Sequence, residues 1–279
     1  MKLGIVGLGY VGGAVFGGMS ERFEIETFDL NKKSTCQTLE ELCTKVELIF
    51  ICVPTPMERD GGCDISIVED AISKINESSC NLAVIKSTVP PGTTEALNNK
   101  YKNLSIVFSP EFLTEANYLK DFVECNRIIV GGPRPATTKV KNIFRKRFPR
   151  KAIIKTHSTI AEMVKYLTNT FLSTKVSFAN EMKQICDSLN TDYDKVLEYA
   201  LYDTRLGDSH WSVPGPDGHP GFGGSCFPKD LNALLRVAKE NEVNSIILES
   251  VWNKNLEVRP EKDWEKLVGR AIKEEKNNG

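Results

Sequence analysis

Cys226 stands in "GFGGSCFPKD", residues 221–230, after a run of glycines and before Lys229 and Asp230. A thiol on bare backbone, beside a lysine and close to a helix start fixed by Pro228, has the surroundings that lower a thiol pKa and make a nucleophile. The plain alternative is a buried structural thiol, the commoner fate of an arbitrary cysteine. Lys165 and Asn169 form a second pair. They interrupt the apolar side of a long helical pattern and, four residues apart, share one face. The alternative there is a solvated face with a snorkelling lysine. A third constellation is "GLGYVG", which puts Gly7, Gly9 and Gly12 in G-x-G-x-x-G spacing. Gly7 permits a tight turn, Gly9 lets backbone approach a pyrophosphate, and Gly12 lets helix and strand pack closely. The helix start after it offers N–H groups to phosphate.

Those residues need elements to hold them. "KLGIV" before the glycines reads as a strand, the residues after them as a helix, and "EIETFD" as a second strand ending at Asp29. Strand, helix, strand and acid in that order strengthen the dinucleotide signal. Asp29 would accept from a ribose diol and repel a 2′-phosphate, which favours NAD; Lys32 and Lys33 keep NADP open. "VELIFICV", "NLAVIKS", "NLSIVFS", "RIIVGG" and "KAIIK" continue as strands. "DISIVEDAISKI" and "TTKVKNIFRKRF" read as helices between them. The alternation predicts an α/β, Rossmann-like, doubly wound parallel sheet over residues 1–157. Its ligand rim would carry "VPTP", "STVPPGT" and "SPEFLTE".

The period then changes. Residues 158–188 carry apolar side chains at helical spacing with no glycine or proline. They predict one long helix at the base of an all-helical central domain, residues 158–257. Ser158 or Thr159 would cap it, with Glu162 as capping-box partner of Thr159. Shorter helices are expected near 192–202, 229–241 and 245–257. Residues 258–279 form a charged tail, expected as a solvated terminal helix.

Bulk composition narrows the classes. The 279 residues hold 36 basic and 37 acidic side chains, net charge -1, with 41% hydrophobic residues. That is ordinary for a soluble globular chain and gives no reason to expect nucleic acid or an anionic membrane. Eight cysteines include no C-x-x-C, so no metal knuckle or redox pair is expected, and a reduced, cytoplasmic chain is. The apolar N-terminus superficially resembles a signal peptide, but it is glycine-rich and runs into an alternating strand pattern. No stretch approaches the ~18 unbroken apolar residues of a membrane span.

In order, "GLGYVG", "ICVPTP", "KSTVPPGT", "SPEFLTEA", "RIIVGG", "KYLTNTFLSTKVSFANE", "DTRLG" and "GFGGSCFPKD" resemble the UDP-glucose/GDP-mannose dehydrogenase family, above all its UDP-glucose 6-dehydrogenase branch. The likeness covers residues 1 to about 257. It implies oxidation of a nucleotide sugar's C6 alcohol to the acid by two NAD in succession, as in polysaccharide precursor synthesis. Cys226 would trap the aldehyde as a thiohemiacetal and then a thioester. Lys165 and Asn169 would stabilise oxyanion character, Asp230 with Thr88 would orient a water, and Glu111 would help hydrolysis. Cofactor contacts would be Gly7, Gly9, Tyr10, Val11, Gly12 and Asp29, joined by Thr55, Glu115 and Lys229. Substrate contacts would be Phe112, Leu113, Lys165, Phe222 and Gly223, with Arg205 offered perhaps from a neighbouring subunit.

Members of that family typically continue into a third domain that holds the nucleotide, and this chain stops at Gly279. Much of a uridine site is therefore expected to be missing. Two other readings stand beside the enzyme: a β-hydroxyacid dehydrogenase-like protein, which needs no cysteine, and a non-catalytic NAD-binding scaffold. The long helix needs more cover than one helical domain supplies, so a homodimer along it is expected.

Overall fold

Short apolar runs become strands here because both faces of the sheet are covered. The computed structural model describes residues 1–274. Strands β1 (Lys2–Val6), β2 (Glu24–Phe28), β3 (Leu48–Ile51), β4 (Leu82–Ile85), β5 (Ser105–Phe108), β6 (Arg127–Gly131) and β7 (Ala152–Thr156) form one sheet in the order β2-β1-β3-β4-β5-β6-β7. The central "LIFI" and "LAVI" are buried at every position, as strands covered on both sides must be. Ile49, Ile51, Ile85 and Phe108 pack on one face; Phe50, Val84 and Val107 pack on the other.

Helices α1 (Tyr10–Met19), α2 (Leu39–Lys45), α3 (Ser66–Asn76), α4 (Thr93–Lys100), α5 (Tyr118–Glu124) and α6 (Ala136–Arg147) connect the strands. The parallel expectation holds for β1 to β5, and β6 departs from it. It meets β5 antiparallel at Phe108↔Gly131, and β7 then runs parallel to β6. The last two strands therefore end on the opposite rim from the first five.

Helix α7 (Ser158–Ser188) is unbroken over the predicted span. Glu162 does not serve its own helix start. It is fully buried and accepts from Gly92 N (2.6 Å) and Thr94 N (2.9 Å), so it caps α4. Gly92 enters α4 in the left-handed region, φ +94°, and its side-chain-free position leaves the cap to a distant carboxylate.

The chain divides into two compact units, one of Met1–Thr55 with Asp64–Lys165, the other of Pro56–Cys63 with Tyr166 onward. The second is helical: later turns of α7, α8 (Tyr193–Ala200), α9 (Phe227–Glu240) and α10 (Ile246–Val258), with 3-10 turns at Thr204–Leu206 and Asp263–Lys266. Phe222, Leu231 and Val251 form its core with Phe227 and Trp252.

Over residues 259–274 the tail is not a solvated helix; the rest of that expectation, 275–279, lies outside the described residues. Trp264 is 1% exposed and packs tilted against Trp252, ring centroids 5.4 Å apart. Arg259, also buried, bridges Asp217 (2.8 Å) and Asp263 (2.6 Å). Met57 N donates to Ala271 O and Lys273 N to Met57 O, each 2.8 Å. Burying an indole and pairing these backbone groups outweighs solvating a charged helix. Among the described residues no helix is long and apolar enough to cross a membrane.

Candidate active site

The β1–α1 turn is shaped by sterics. Gly7 lies at φ +89°, and a Cβ there would stand 2.6 Å from Cys52 O. A Cβ on Gly12 would fall 1.9 Å from Gly7 O, while one on Gly9 would meet nothing within 4 Å. The turn is closed beneath and open above, where a pyrophosphate would sit against the start of α1. Tyr10 is 43% exposed, edge-on to Tyr118 at 5.6 Å, and Val11 is half-buried.

Asp29 follows the end of β2 with both oxygens engaged. Oδ2 accepts from Leu8 N (2.6 Å), and Oδ1 accepts from Asn31 N and Lys32 N (each 2.8 Å). Burial works to raise its pKa, but these N–H groups and the Lys32 charge outweigh it and hold the carboxyl below its ordinary value. Lys32 Nζ donates to Leu8 O at 2.7 Å, so this ammonium is tied to the loop backbone. Thr55 is buried and Glu115 exposed.

Lys165 forms the polar centre of the first unit. Its Nζ lies 3.0 Å from Glu111 Oε1, donates to Glu111 O at 2.9 Å and sits 5.6 Å over the Phe112 ring. The side chains of Lys165 and Glu111 are 5% and 10% exposed. Glu111 Oε2 is buried without a hydrogen-bond partner, an acceptor left for something not in the chain itself. Beside them Lys86, which sequence reasoning passed over, is buried and donates to Pro110 O at 3.2 Å. Burial pushes its pKa down, opposed by the Glu111 charge. Thr88 is buried on the same loop as Lys86, and Leu113 packs against the core.

In the second unit Asn169 Nδ2 donates to Asp230 Oδ2 at 2.6 Å, and Lys229 Nζ meets Asp230 Oδ1 at 2.5 Å. Burial alone would lower the Lys229 pKa; the adjacent Asp230 and the Cys63 and Cys226 thiols raise it instead. Cys226 occupies the N-cap position of α9, and its carbonyl accepts from Asp230 N at 3.0 Å. Thiol and acid thus flank one helical turn. Pro228 follows in the first turn, where its missing N–H costs nothing.

The glycines before Cys226 are required from below. A Cβ on Gly221 would lie 2.5 Å from Asn255 Oδ1, and one on Gly223 would lie 2.5 Å from Arg259 Nη2. Asn255 is fully buried and grips the loop with both ends of its amide, accepting from Phe222 N (2.7 Å) and donating to Phe222 O (2.9 Å). Asn180 Oδ1 accepts from Gly221 N at 3.2 Å. The Phe222 side chain is a core residue. Gly224, at φ +70°, has open space at its Cβ position. Arg205 is exposed and paired with Asp203, outside these clusters. Asn255, Asn180 and Arg259 gave no sequence signal, since each acts through a partner 33–42 residues away, backbone for the two asparagines and the Asp217 carboxylate for Arg259.

All eight cysteines are free thiols. Burial pushes Cys52 up to about 12 and Cys80 to about 11, marking them as inert.

The first unit thus carries a dinucleotide turn on a doubly wound sheet and a buried lysine–carboxylate pair, and the second a cysteine heading a helix one turn before a buried aspartate. The comparisons give the chain a family. Residues 24–148 match the NAD binding domain, and residues 159–257 the central domain, of the UDP-glucose/GDP-mannose dehydrogenase family. The chain belongs to that family, and its cofactor is NAD. It is 37% identical over 227 residues to the UDP-glucose 6-dehydrogenase of Rickettsia bellii, covering 78% of this chain and 51% of the relative. It is 33% identical over 252 residues to UDP-glucose 6-dehydrogenase YwqF of Bacillus subtilis, covering 84% and 56%. The solved UDP-glucose dehydrogenase of Pyrobaculum islandicum superposes with a TM-score of 0.80 at 27% identity, over 91% of this chain and 67% of that one. The chain spans about half the length of the curated relatives it matches.

Proposed function

We propose that the protein oxidises the C6 alcohol of a nucleotide sugar, UDP-glucose, to UDP-glucuronate with two NAD per sugar. The observation that carries this reading is Cys226 at the head of α9, with Asp230 one turn on and tied to Asn169 and Lys229. A simple alcohol dehydrogenase needs no thiol there.

Bound NAD supplies the hydride acceptor for both oxidations. In the first, the C6 hydroxyl proton passes to a water held by Asp230 as the hydride leaves. Lys165 and Asn169 donate to the oxygen as it gains negative charge. Cys226 then adds to the aldehyde, forming a C–S bond while its proton moves to the C6 oxygen. Loss of a second hydride from C6 and of the hydroxyl proton gives a thioester. Water, activated by Glu111, adds to the acyl carbon; the C–S bond breaks, the thiol is restored and the acid leaves. Lys165 pairs with Glu111 Oε1 at 3.0 Å, and Oε2, which has no partner among the described residues, is the atom suited to take a proton from water.

We read the long helix as a homodimer interface. Ile160, Met163, Leu167, Phe171, Phe178 and Ile185 recur at helical intervals on α7 and are 38–66% exposed. In the same reading Arg205, whose side chain is 88% exposed, serves a neighbouring copy's substrate.

The test counts NADH released per sugar with UDP-glucose, GDP-mannose and UDP-N-acetylmannosamine. Two NADH from UDP-glucose and less from the others is expected. One NADH with free aldehyde overturns the thiol step. NAD binding without turnover on any nucleotide sugar overturns the activity itself.

A further inference from the structure

Because β6 and β7 run against β5, their carboxyl ends open away from the Gly7–Gly12 turn. There a cavity of about 660 Å³ is lined by Arg134, Thr137, Lys155, His157 and Ser158, with Glu95 on another wall. Two helices start at it, α6 at Ala136 and α7 at Ser158. A glycine pair brings them together. A Cβ on Gly131 would stand 2.6 Å from Ala161 Cβ and 2.8 Å from His157 O, and Gly132 turns the chain at φ +148°. Both helix starts present the positive end of their dipoles to the same space.

Two hydroxyls single this cavity out. Thr137 is 2% exposed and Ser158 8% exposed, yet neither side chain hydrogen-bonds to any described residue. Buried hydroxyls are ordinarily paired. These two line the cavity, and their oxygens are not sealed off from it. The Arg134 guanidinium and His157 imidazole also have no partner among the described residues, while Lys155 Nζ lies 3.0 Å from Thr138 Oγ1. Converging donors at two helix starts, with an unpaired guanidinium, suit a phosphate. The volume is far more than one phosphate fills and falls in the range of small-molecule sites. Glu95, the one carboxylate of the lining, would repel a second anionic group and accept from hydroxyls.

We propose that this cavity binds a phosphomonoester with a hydroxyl-bearing body, such as a sugar phosphate. The phosphate sits between the starts of α6 and α7 on Thr137, Ser158 and Arg134, and a body hydroxyl donates to Glu95. The site lies on strands and helix starts that the proposed oxidation does not use, so it stands whether or not that reading holds.

The full chain, saturated with NAD to occupy the Gly7–Gly12 turn, is titrated with ribose 5-phosphate, orthophosphate and ribose, with amide NMR shifts locating the bound probe. Ribose 5-phosphate should bind more tightly than orthophosphate and shift Gly132, Thr137 and Ser158; ribose should not bind. Arg134→Gln, an exposed change, should weaken ribose 5-phosphate about tenfold, and Thr137→Val with Ser158→Ala by a similar factor, with NAD affinity unchanged. Glu95→Gln should weaken ribose 5-phosphate but not orthophosphate. No saturable binding, shifts confined to the Gly7–Gly12 turn, or affinity unmoved in both the arginine and hydroxyl variants overturns the site. Equal affinity for ribose 5-phosphate and orthophosphate overturns the hydroxyl-bearing body.

Discussion

Asn169 Nδ2 donates to Asp230 Oδ2 at 2.6 Å while Lys229 takes the other oxygen, so both atoms of this buried carboxylate are spoken for. The two substitutions that break the arrangement should differ in cost. Asn169→Ala leaves one buried oxygen short of a donor, about 1–3 kcal/mol of stability. Asp230→Asn strands the Lys229 charge, about 3–5 kcal/mol. Urea unfolding of both variants measures this, and equal losses would mean that Lys229 finds another partner.

The nucleotide turn separates binding from folding. Gly12→Ala drives a methyl into the Gly7 carbonyl and should cost both stability and NAD affinity. Gly9→Ala meets open space, so its melting temperature should stay within a degree or two of wild type. Its NAD affinity should nevertheless fall roughly tenfold or more, because the methyl occupies the pyrophosphate's approach. Calorimetry alongside NAD titration distinguishes the pair.

Glu162 gives a pH signature. Burial, the largest influence, raises its pKa above the ordinary 4.5, and the Gly92 and Thr94 N–H groups only partly offset this. Between 4.5 and the raised value the folded chain holds more protons than the unfolded one. Stability from this group is therefore lost as pH rises through that window. Glu162→Gln does not titrate. The stability of wild type minus that of Glu162→Gln should decline as pH rises above the ordinary 4.5; a flat or rising difference would contradict the assignment.

Local pattern made much of this legible. The Gly7–Gly12 turn, the buried strands and α7 are written in residues close together, as glycine spacing, unbroken apolar runs and a 3.6-residue period. The direction of β6 is not, because a strand's own side chains are the same whichever way it runs. Glu162 sits where a capping box would want it, yet its partners lie about 70 residues earlier. At the site, the shared face of Lys165 and Asn169 was readable from spacing. That each would bind a different carboxylate, Glu111 and Asp230, was not.

The stripe on α7 predicts association. Leu167 and Phe171 are 66% and 62% exposed, one turn apart at the middle of the stripe. If copies pair along it, Leu167→Asp or Phe171→Asp buries a charge in the interface and should shift a micromolar sample from dimer to monomer in light scattering. A surface apolar-to-acid change otherwise costs little, within roughly 0.5 kcal/mol, so the variants should stay folded by circular dichroism. A wild-type monomer, or a variant still dimeric, rejects the interface.

The last prediction concerns what holds the thiol loop. Among the described residues Asn255 supplies the side-chain partners of both Phe222 backbone groups, and both hydrogen bonds are buried. Asn255→Ala leaves an N–H and a C=O unsatisfied, each costing about 1–3 kcal/mol. The chain can relieve part of that by letting residues 221–224 open to water. Amide exchange at Phe222 should then rise well before global unfolding. Cys226, a few residues on, should alkylate faster with iodoacetamide, while the seven other thiols keep their rates. Asn255→Asp keeps the acceptor for Phe222 N and loses the donor, so it should fall between wild type and alanine in both measurements. If exchange at Phe222 and alkylation of Cys226 stay at wild-type rates in Asn255→Ala, the loop is held by Arg259 beneath Gly223, and Gly223→Ala becomes the substitution that frees it.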